Sequence, residues 1–190
     1  MKRKLSASLL TAVLLLAAAG VAQEAKPEPT LTDVMHRSLA NVERQVVELA
    51  EAMPEEHYGF APSEGEFKGV RTFGEQVRHI AAANFLITAS LMGEKPPVDV
   101  GQGDDGPEAL KSKAEIMQYL KDSFAYAHKA MNTIRADNAA GPVKNPFGKG
   151  EVPRTQITVV MMEHCMNHFG QMVVYLRMNG IIPPGSRPQS

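Results

Sequence analysis

Four long stretches of helical periodicity, separated by segments rich in proline and glycine, restrict the fold of this chain more than any other feature. Within each stretch, apolar residues recur every three or four positions, which places them on one face of an α-helix. No other segment is a convincing strand. The expected helices cover residues 32–53, 72–92, 108–134 and 154–179.

The ends of these stretches carry the boundary signals of helices. Pro54 closes the first, and Thr72 followed by Glu75 forms a capping-box pattern at the start of the second. Gly93 and Asn179-Gly180 are stop signals for the second and the fourth. Helices of about 20 to 27 residues are long enough to run the height of a helix bundle.

Two long connections between the expected helices allow the chain to cross the bundle. Residues 93–107 and 137–153 are rich in glycine and proline, which is typical of loops. Tryptophan is absent and there are 11 methionines, so we expect an aliphatic, thioether-rich core. The sequence therefore predicts an all-α four-helix bundle with long crossover loops, formed by residues 31–186.

The first 22 residues have the pattern of a cleaved export signal. Three basic residues at positions 2–4 precede an apolar run at 9–19, and small residues at 20–22 suit a signal peptidase. The run has about half of the ~20 residues that a membrane span needs, so we expect no stable membrane anchor. We predict a signal peptide over 1–22, a flexible leader over 23–30, and an exported protein, periplasmic or extracellular.

Charge and cysteine content exclude two classes of function. The chain has 20 Lys and Arg residues and 21 Asp and Glu residues, a formal net charge of -1. Proteins that bind nucleic acid usually need a basic surface, so we expect no nucleic acid partner. The single cysteine cannot form a disulfide within the chain or build a cysteine-rich zinc module.

The densest polar feature is the segment from Glu163 to His168 in the fourth expected helix. His164 and His168 are four residues apart, so their imidazoles project from one face and can bind one divalent cation. Both border the buried stripe of that helix, and the alternative is a pair of core-edge histidines bonded to their neighbours. A zincin protease site is excluded, because Cys165 rather than glutamate follows His164.

A third ligand would come from another helix, and the residues alone leave its identity open. His79 in the second expected helix has Ala83 one turn further along, a small residue that would leave room for an ion. His36 and His128, in the first and third helices, are alternatives. His57 lies in a loop, where a solvated or substrate-facing role is more typical.

Cys165 lies within the buried stripe of the fourth expected helix. A packed apolar thiol is the favoured interpretation of a cysteine in that position. A redox thiol or a further metal ligand is the alternative, so the role of Cys165 stays open.

Three segments together resemble the DinB/YfiT-like superfamily over residues 31 to 184. They are Arg71-Thr-Phe-Gly-Glu-Gln-Val-Arg-His79-Ile-Ala, the aromatic-x-x-Pro turn Tyr58-Gly-Phe-Ala-Pro62, and His164-xxx-His168-Phe-Gly-Gln-Met-xx-Tyr-Leu-Arg-xx-Gly-Ile-Ile-Pro-Pro184. The resemblance implies a helix bundle in which His79, His164 and His168 bind a divalent metal. Members of known activity include metal-dependent transferases that use low-molecular-weight thiols.

Three neutral histidines would leave a fourth coordination position open, as in catalytic zinc sites. Imidazole ligands suit several transition metals, and we expect Zn²⁺ or Ni²⁺. Groups that orient the imidazoles should lie nearby. The candidates for that role are Asn84, Asn167 and Gln171, and the candidates that face a substrate are His57 and Tyr58.

The sequence leaves two functions open. The first is an exported metal-dependent hydrolase or transferase acting on a small molecule, with its pocket beneath residues 55–69 and 137–153. The second is a non-catalytic module that uses the same bundle to bind a metal, a small ligand or a partner. Exposed methionine and phenylalanine side chains around the helices also suggest a homodimer.

Overall fold

The computed structural model describes residues 27–188, so the expected signal peptide at 1–22 lies outside the described residues. Residues 27–30 are exposed and have no regular secondary structure. The described part contains four α-helices, and none of them is long and apolar enough to cross a membrane. The helices are α1 (Leu31–Ala52), α2 (Phe73–Met92), α3 (Lys113–Met131) and α4 (Arg154–Met178).

The four helices form the predicted bundle. Helix α2 packs against α3 and α4, and α1 packs against the same two helices. Helices α1 and α2 therefore occupy opposite corners, as do α3 and α4. The connections 53–72 and 132–153 cross between these corners, whereas 93–112 joins two adjacent helices and folds back against α2.

Helix α2 is the most enclosed helix of the bundle. Sixteen of its 20 residues are buried, so most of its polar side chains lie inside the bundle. The buried polar residues include Gln76, Arg78, His79 and Asn84. Buried polar groups need hydrogen-bond partners, so the fold places this helix at the centre of the molecule's polar contacts.

The third helix begins at Lys113, so the expected start at residue 108 is wrong. Ser112 is its N-cap: the Ser112 hydroxyl accepts a hydrogen bond from the Glu115 backbone nitrogen at 3.3 Å. The Glu115 carboxylate in turn accepts one from the Ser112 backbone nitrogen at 2.9 Å. This capping box sets the helix start, and the helix ends at Met131 rather than at 134.

The segment 137–153, expected to be a loop, contains two short strands. Strand β1 (Pro142–Lys144) pairs with the antiparallel strand β2 (Glu151–Pro153), and Val143 lies opposite Val152. Strands of three residues with a proline at one end are too short for a recognisable alternation of polar and apolar residues. The hairpin leads directly into α4.

Candidate metal centre

Three histidines from two adjacent helices converge at one point in the bundle. Nε2 of His79, on α2, is 3.0 Å from Nε2 of His164 and 3.1 Å from Nε2 of His168, both on α4. The ligand atoms of all three lie within 4.8 Å of one another. Ligands about 2.0–2.1 Å from a tetrahedral zinc ion are about 3.3 Å apart, so the spacing is that of ligands to one ion.

The outer nitrogens of two of these imidazoles donate to fixed acceptors. Nδ1 of His79 donates to the backbone oxygen of Asp104 at 2.8 Å, and Nδ1 of His168 donates to Oε1 of Gln76 at 2.6 Å. A neutral imidazole that donates from Nδ1 has an unprotonated Nε2. In this tautomer the Nε2 atoms of His79 and His168, which are 3.1 Å apart, both direct lone pairs toward the centre, an arrangement that suits a cation.

Burial keeps the two histidines of α4 neutral near pH 7. Removal from water, helped by the neighbouring imidazoles, lowers the pKa of His164 to about 4 and that of His168 to about 3. The nearby Arg71 guanidinium lowers both pKa values further. Metal ligation needs the neutral imidazole, so both side chains are in the required protonation state.

A chain of side-chain amides holds His168 from the side away from the centre. Gln76, whose Oε1 accepts from His168, donates from Nε2 to Gln171 Oε1 at 3.0 Å. Gln171 then donates to Asn167 Oδ1 at 3.1 Å. The predicted positioning residues Gln171 and Asn167 thus act through Gln76. Gln76 is absent from the sequence-based candidates, although it precedes His79 by one helical turn, a spacing that places both on one face.

A glycine-rich loop holds His79. The backbone oxygen of Asp104 lies 2.8 Å and its carboxylate oxygen 3.5 Å from Nδ1 of His79. Gly106, with φ +77, lets the loop lie this close, because a Cβ there would be 2.9 Å from Cβ of Arg78. A backbone acceptor has no sequence signature, which is why Asp104 was not among the predicted residues.

His164 is the least restrained of the three imidazoles. Its Nδ1 is buried and has no hydrogen-bond partner among residues 27–188. It is also only partly buried as a residue, whereas His79 and His168 are buried. The centre therefore combines two anchored histidines with one that is held mainly by packing.

Asn84 and Cys165 belong to the core and not to the centre. Asn84 donates to the Ser123 hydroxyl at 3.2 Å and accepts from the Cys165 thiol at 3.2 Å. The structure thus does not bring Asn84 to the three histidines. Burial raises the pKa of the Cys165 thiol to about 12, so the thiol stays protonated and packs as an apolar group.

His36 and His128, the alternative third ligands, form a separate cluster between α1 and α3. Their Nδ1 atoms are 3.0 Å apart. Nε2 of His36 is 2.8 Å from Asn132 Oδ1, and Nε2 of His128 is 2.9 Å from Glu43 Oε2. The fold therefore joins His79, and neither of these two, to the pair on α4.

The predicted substrate-facing residues lie in the connection between α1 and α2. Tyr58 is buried, and its hydroxyl donates to the backbone oxygen of Ala50 at 2.9 Å. His57 is partly buried at the end of a short 3₁₀-helix, Glu55–His57. Neither side chain hydrogen-bonds to the histidines of the centre within the described part of the chain.

A cavity of about 550 Å³ lies beside the centre. Its wall includes Gln76, which holds His168, and Gly106 in the loop that holds His79. The three imidazoles themselves are not among the residues that line it. The β1–β2 hairpin does not line it either, so the expected position of the pocket beneath 137–153 does not apply to this cavity.

Comparisons with known proteins agree with this architecture. The family model of the DinB superfamily matches residues 38–172. A DinB-like protein from Bacillus cereus is 18% identical, with 84% of this chain and 99% of that chain covered and a TM-score of 0.66. A DinB-like protein from Bacillus subtilis is also 18% identical, with 77% and 92% covered and a TM-score of 0.59.

A conserved protein from Enterococcus faecalis is 15% identical, with 78% of this chain and 96% of that chain covered and a TM-score of 0.62. No curated protein matches the chain significantly. Identities this low show a shared fold, whereas the family model covers more than half of the 190 residues. The chain therefore belongs to the DinB superfamily.

Proposed function

We propose that this chain is an exported metalloprotein that binds one Zn²⁺ or Ni²⁺ ion through Nε2 of His79, His164 and His168. The observation that carries the proposal is the convergence of three Nε2 atoms from α2 and α4, with His79 and His168 each held through Nδ1 by an oxygen. The oxygens that hold these two rings are the Asp104 carbonyl and the Gln76 amide oxygen, and they orient Nε2 of each ring toward the centre. Neutral imidazoles match the ligand preference of both metals.

We propose further that the centre is catalytic, in a hydrolase or transferase that acts on a small molecule. Three protein ligands leave one position of a tetrahedral ion open, where a bound water or thiol would have a lowered pKa. Gln76 and Asp104 keep two imidazoles oriented, and burial keeps the imidazoles of His164 and His168 neutral.

Metal analysis tests the first part of the proposal. The protein is purified without chelator or affinity tag, beside the His79→Ala/His164→Ala/His168→Ala variant, and helix content is checked by circular dichroism. We expect about one metal ion per chain in the wild type and none in a folded variant. Folded wild-type protein that takes up neither zinc nor nickel would overturn the metalloprotein proposal.

A non-catalytic binding module is the second candidate. It is favoured by the observation that the imidazoles do not line the adjacent cavity. Cobalt-substituted protein titrated with 2-mercaptoethanol separates the two, because the visible spectrum reports the coordination of the ion. A spectral change on titration supports an open catalytic position, and an unchanged spectrum supports a closed binding site.

Export and self-association stay predictions. The export signal is read from the sequence at 1–22, and cell fractionation with detection of the shortened chain tests it. A homodimer would cover exposed apolar side chains such as Phe147 and Met178, which are 51% and 47% exposed. Light scattering across a concentration series tests for the dimer.

A further inference from the structure

We infer that the outer side of α4 binds a second copy of this chain, with the two α4 helices antiparallel and Gly170 at the twofold axis. The surface, called the α4 face below, consists of one acidic, one basic and four small or apolar residues: Val159, Glu163, Met166, Gly170, Val174 and Arg177. The inference rests on the homodimer named in the proposed function and deepens it, because it assigns the surface and the register. It does not depend on a bound metal.

The α4 face is not covered by another helix among residues 27–188. Helix α4 packs against α1 and α2 through its buried residues, and the residues of the α4 face, spaced three or four positions apart, share the opposite side. Val159 and Val174 are 41% and 48% exposed, and Met166 is partly buried between them. Apolar residues that are contiguous on one exposed face, unlike scattered ones, mark an interaction surface.

The two charged residues of the α4 face lie at equal distances from its centre. Glu163 precedes Gly170 by seven residues, and Arg177 follows it by seven. A helix rises 1.5 Å per residue, so each charge is about 10.5 Å from Gly170 along the helix axis. In an antiparallel pair with its twofold axis at Gly170, Glu163 of one copy therefore lies level with Arg177 of the other.

Both charges are available for this pairing. Neither Glu163 nor Arg177 forms an ion pair within residues 27–188. Nη2 of Arg177 donates one hydrogen bond, to the Ser186 hydroxyl at 3.4 Å, so the guanidinium has further donors for a carboxylate. The antiparallel dimer would contain two such pairs, one on each side of the axis. This charge complementarity favours a second copy as the occupant.

The centre of the α4 face allows two helices to approach closely. A Cβ at Gly170 would meet nothing within 4 Å, so the helix surface is open at the axis. The distance between packed helices depends on the side chains at their contact, and glycine permits a short one. The same symmetry places Met166, four residues before Gly170, level with Val174, four residues after it. The face thus matches itself in apolar contacts and in charge, as a twofold interface requires.

Sedimentation of the purified chain across a concentration series, with charge-reversal variants, tests the inference. Glu163→Arg and Arg177→Glu each place like charges together on both sides of the axis, and each should raise the dissociation constant of the dimer about tenfold or more. The double variant Glu163→Arg/Arg177→Glu restores opposite charges and should dimerise like the wild type. A wild-type chain that stays monomeric, or a double variant as weak as the single ones, would overturn the inference.

Glu48→Arg is the matched control for charge. It makes the same change as Glu163→Arg on the exposed side of α1, and the dimer should not respond to it. Circular dichroism of each variant checks that the bundle is intact. A dimer that Glu48→Arg weakens as much as Glu163→Arg does would contradict the assignment of the surface.

Gly170→Cys locates the twofold axis. Two copies of position 170 meet there, within the range of Cα distances that a disulfide bridges, so oxidation with diamide should link the two chains. The native Cys165 is buried and should not react. Gly59→Cys, at an exposed position in the connection between α1 and α2, is the control and should stay unlinked. Equal linking of the two variants would place the axis elsewhere and overturn the inference.

Zinc content, measured on the same samples, separates this inference from the metalloprotein proposal. The substituted residues are not among the three histidines or the groups that hold them, so zinc content should not change. A dimer that does not respond to the α4 variants overturns the α4 face and leaves self-association through another surface. A monomeric chain that binds zinc overturns the α4 face and leaves the metal centre.

Discussion

Two histidine clusters in this bundle have the same shortest distance between imidazole nitrogens but different surroundings. Imidazole nitrogens approach to 3.0 Å both in the centre between α2 and α4 and in the His36–His128 cluster between α1 and α3. The His36 and His128 rings are nearly coplanar, at 4°, with centroids 5.2 Å apart, so their nitrogens point at each other as in a hydrogen bond. The centre between α2 and α4 has a third imidazole, and the Nε2 atoms of all three rings converge.

Burial separates the two clusters further. The side chains of His128 and its partner Glu43 are 27% and 32% exposed, so water and a carboxylate share the environment. His79 and His168 are 5% and 9% exposed, and their outer nitrogens donate to a backbone and an amide oxygen, with the Asp104 carboxylate further from His79 at 3.5 Å. A short contact between histidines is therefore not evidence of a metal site. The number of converging imidazoles, the oxygens that hold them and their burial are the evidence.

The largest difference between the clusters should appear when one histidine is removed from each. His164→Ala should lose most of the zinc affinity, because two ligands remain of three. His128→Ala should keep wild-type affinity. Zinc content after dialysis against a competing chelator measures both, and equal content in the two variants contradicts the assignment of the centre.

A smaller effect is expected from the groups that orient the rings. Gln76→Leu removes the acceptor of His168 and should weaken zinc binding about 10- to 100-fold. Asn132→Ala, which removes the acceptor of His36, should leave zinc binding unchanged. Competition titrations with a fluorescent zinc chelator give both affinities. Unchanged affinity in Gln76→Leu would show that the amide chain does not support the centre.

A substitution in the loop that holds His79 should weaken zinc binding several-fold. Gly103 and Gly106 both have positive φ, at +68 and +77, so alanine strains the backbone at either position. Only at Gly106 would the new Cβ meet α2, at Arg78. Gly106→Ala should therefore weaken zinc binding several-fold more than Gly103→Ala, with thermal unfolding of both variants as the control for strain.

The smallest change is expected when the pH is lowered to 5. Exposed histidines have a pKa near 6.5 and would lose metal to protons as the pH falls below that value. The lowered pKa values of His164 and His168, about 4 and about 3 in the metal-free protein, delay this competition, so zinc should stay bound at pH 5. Loss of half of the zinc already near pH 6.5 would contradict this.

The same lowered pKa values make the stability of the metal-free protein decrease as the pH falls. The unfolded chain takes up protons at these two histidines below about pH 6.5, and the folded chain excludes them until the pH approaches 4. The free energy of unfolding of the metal-free protein should therefore decrease as the pH falls from 6.5. Urea unfolding of metal-free protein at pH 7 and pH 5 measures the decrease, and His164→Ala should reduce it.

Most of the fold could be predicted from the sequence because its signals are periodic, and the same holds for the pairing of two of the three clustered histidines. Helical spacing places His164 and His168 on one face, and boundary residues such as Thr72 and Gly93 mark helix ends. His79 could not be chosen over the other helical histidines by spacing alone, and the family resemblance made that choice. Which helices become neighbours depends on the crossing connections, which have no local pattern.

Most of the groups that hold the three histidines could not be predicted from the sequence. Asp104 acts on His79 mainly through a backbone oxygen, and any residue has one. Asn84 and Gln76 are both buried amides on α2, and only the packing of α3 and α4 decides that Asn84 meets Ser123 while Gln76 meets His168. The start of α3 could have been predicted from the sequence, because the Ser112–Glu115 capping box is a local signal.

The position of the three histidines along the chain has a mechanical consequence. His79 and His164 are 85 residues apart, and the only cysteine is buried and cannot supply a covalent link. A bound ion would join α2 to α4 and close that long loop, for which a permanent cross-link is worth on the order of 4 to 5 kcal/mol in the chain-entropy model. Metal supply would then set how readily the bundle opens to proteases, as a reversible counterpart of a disulfide.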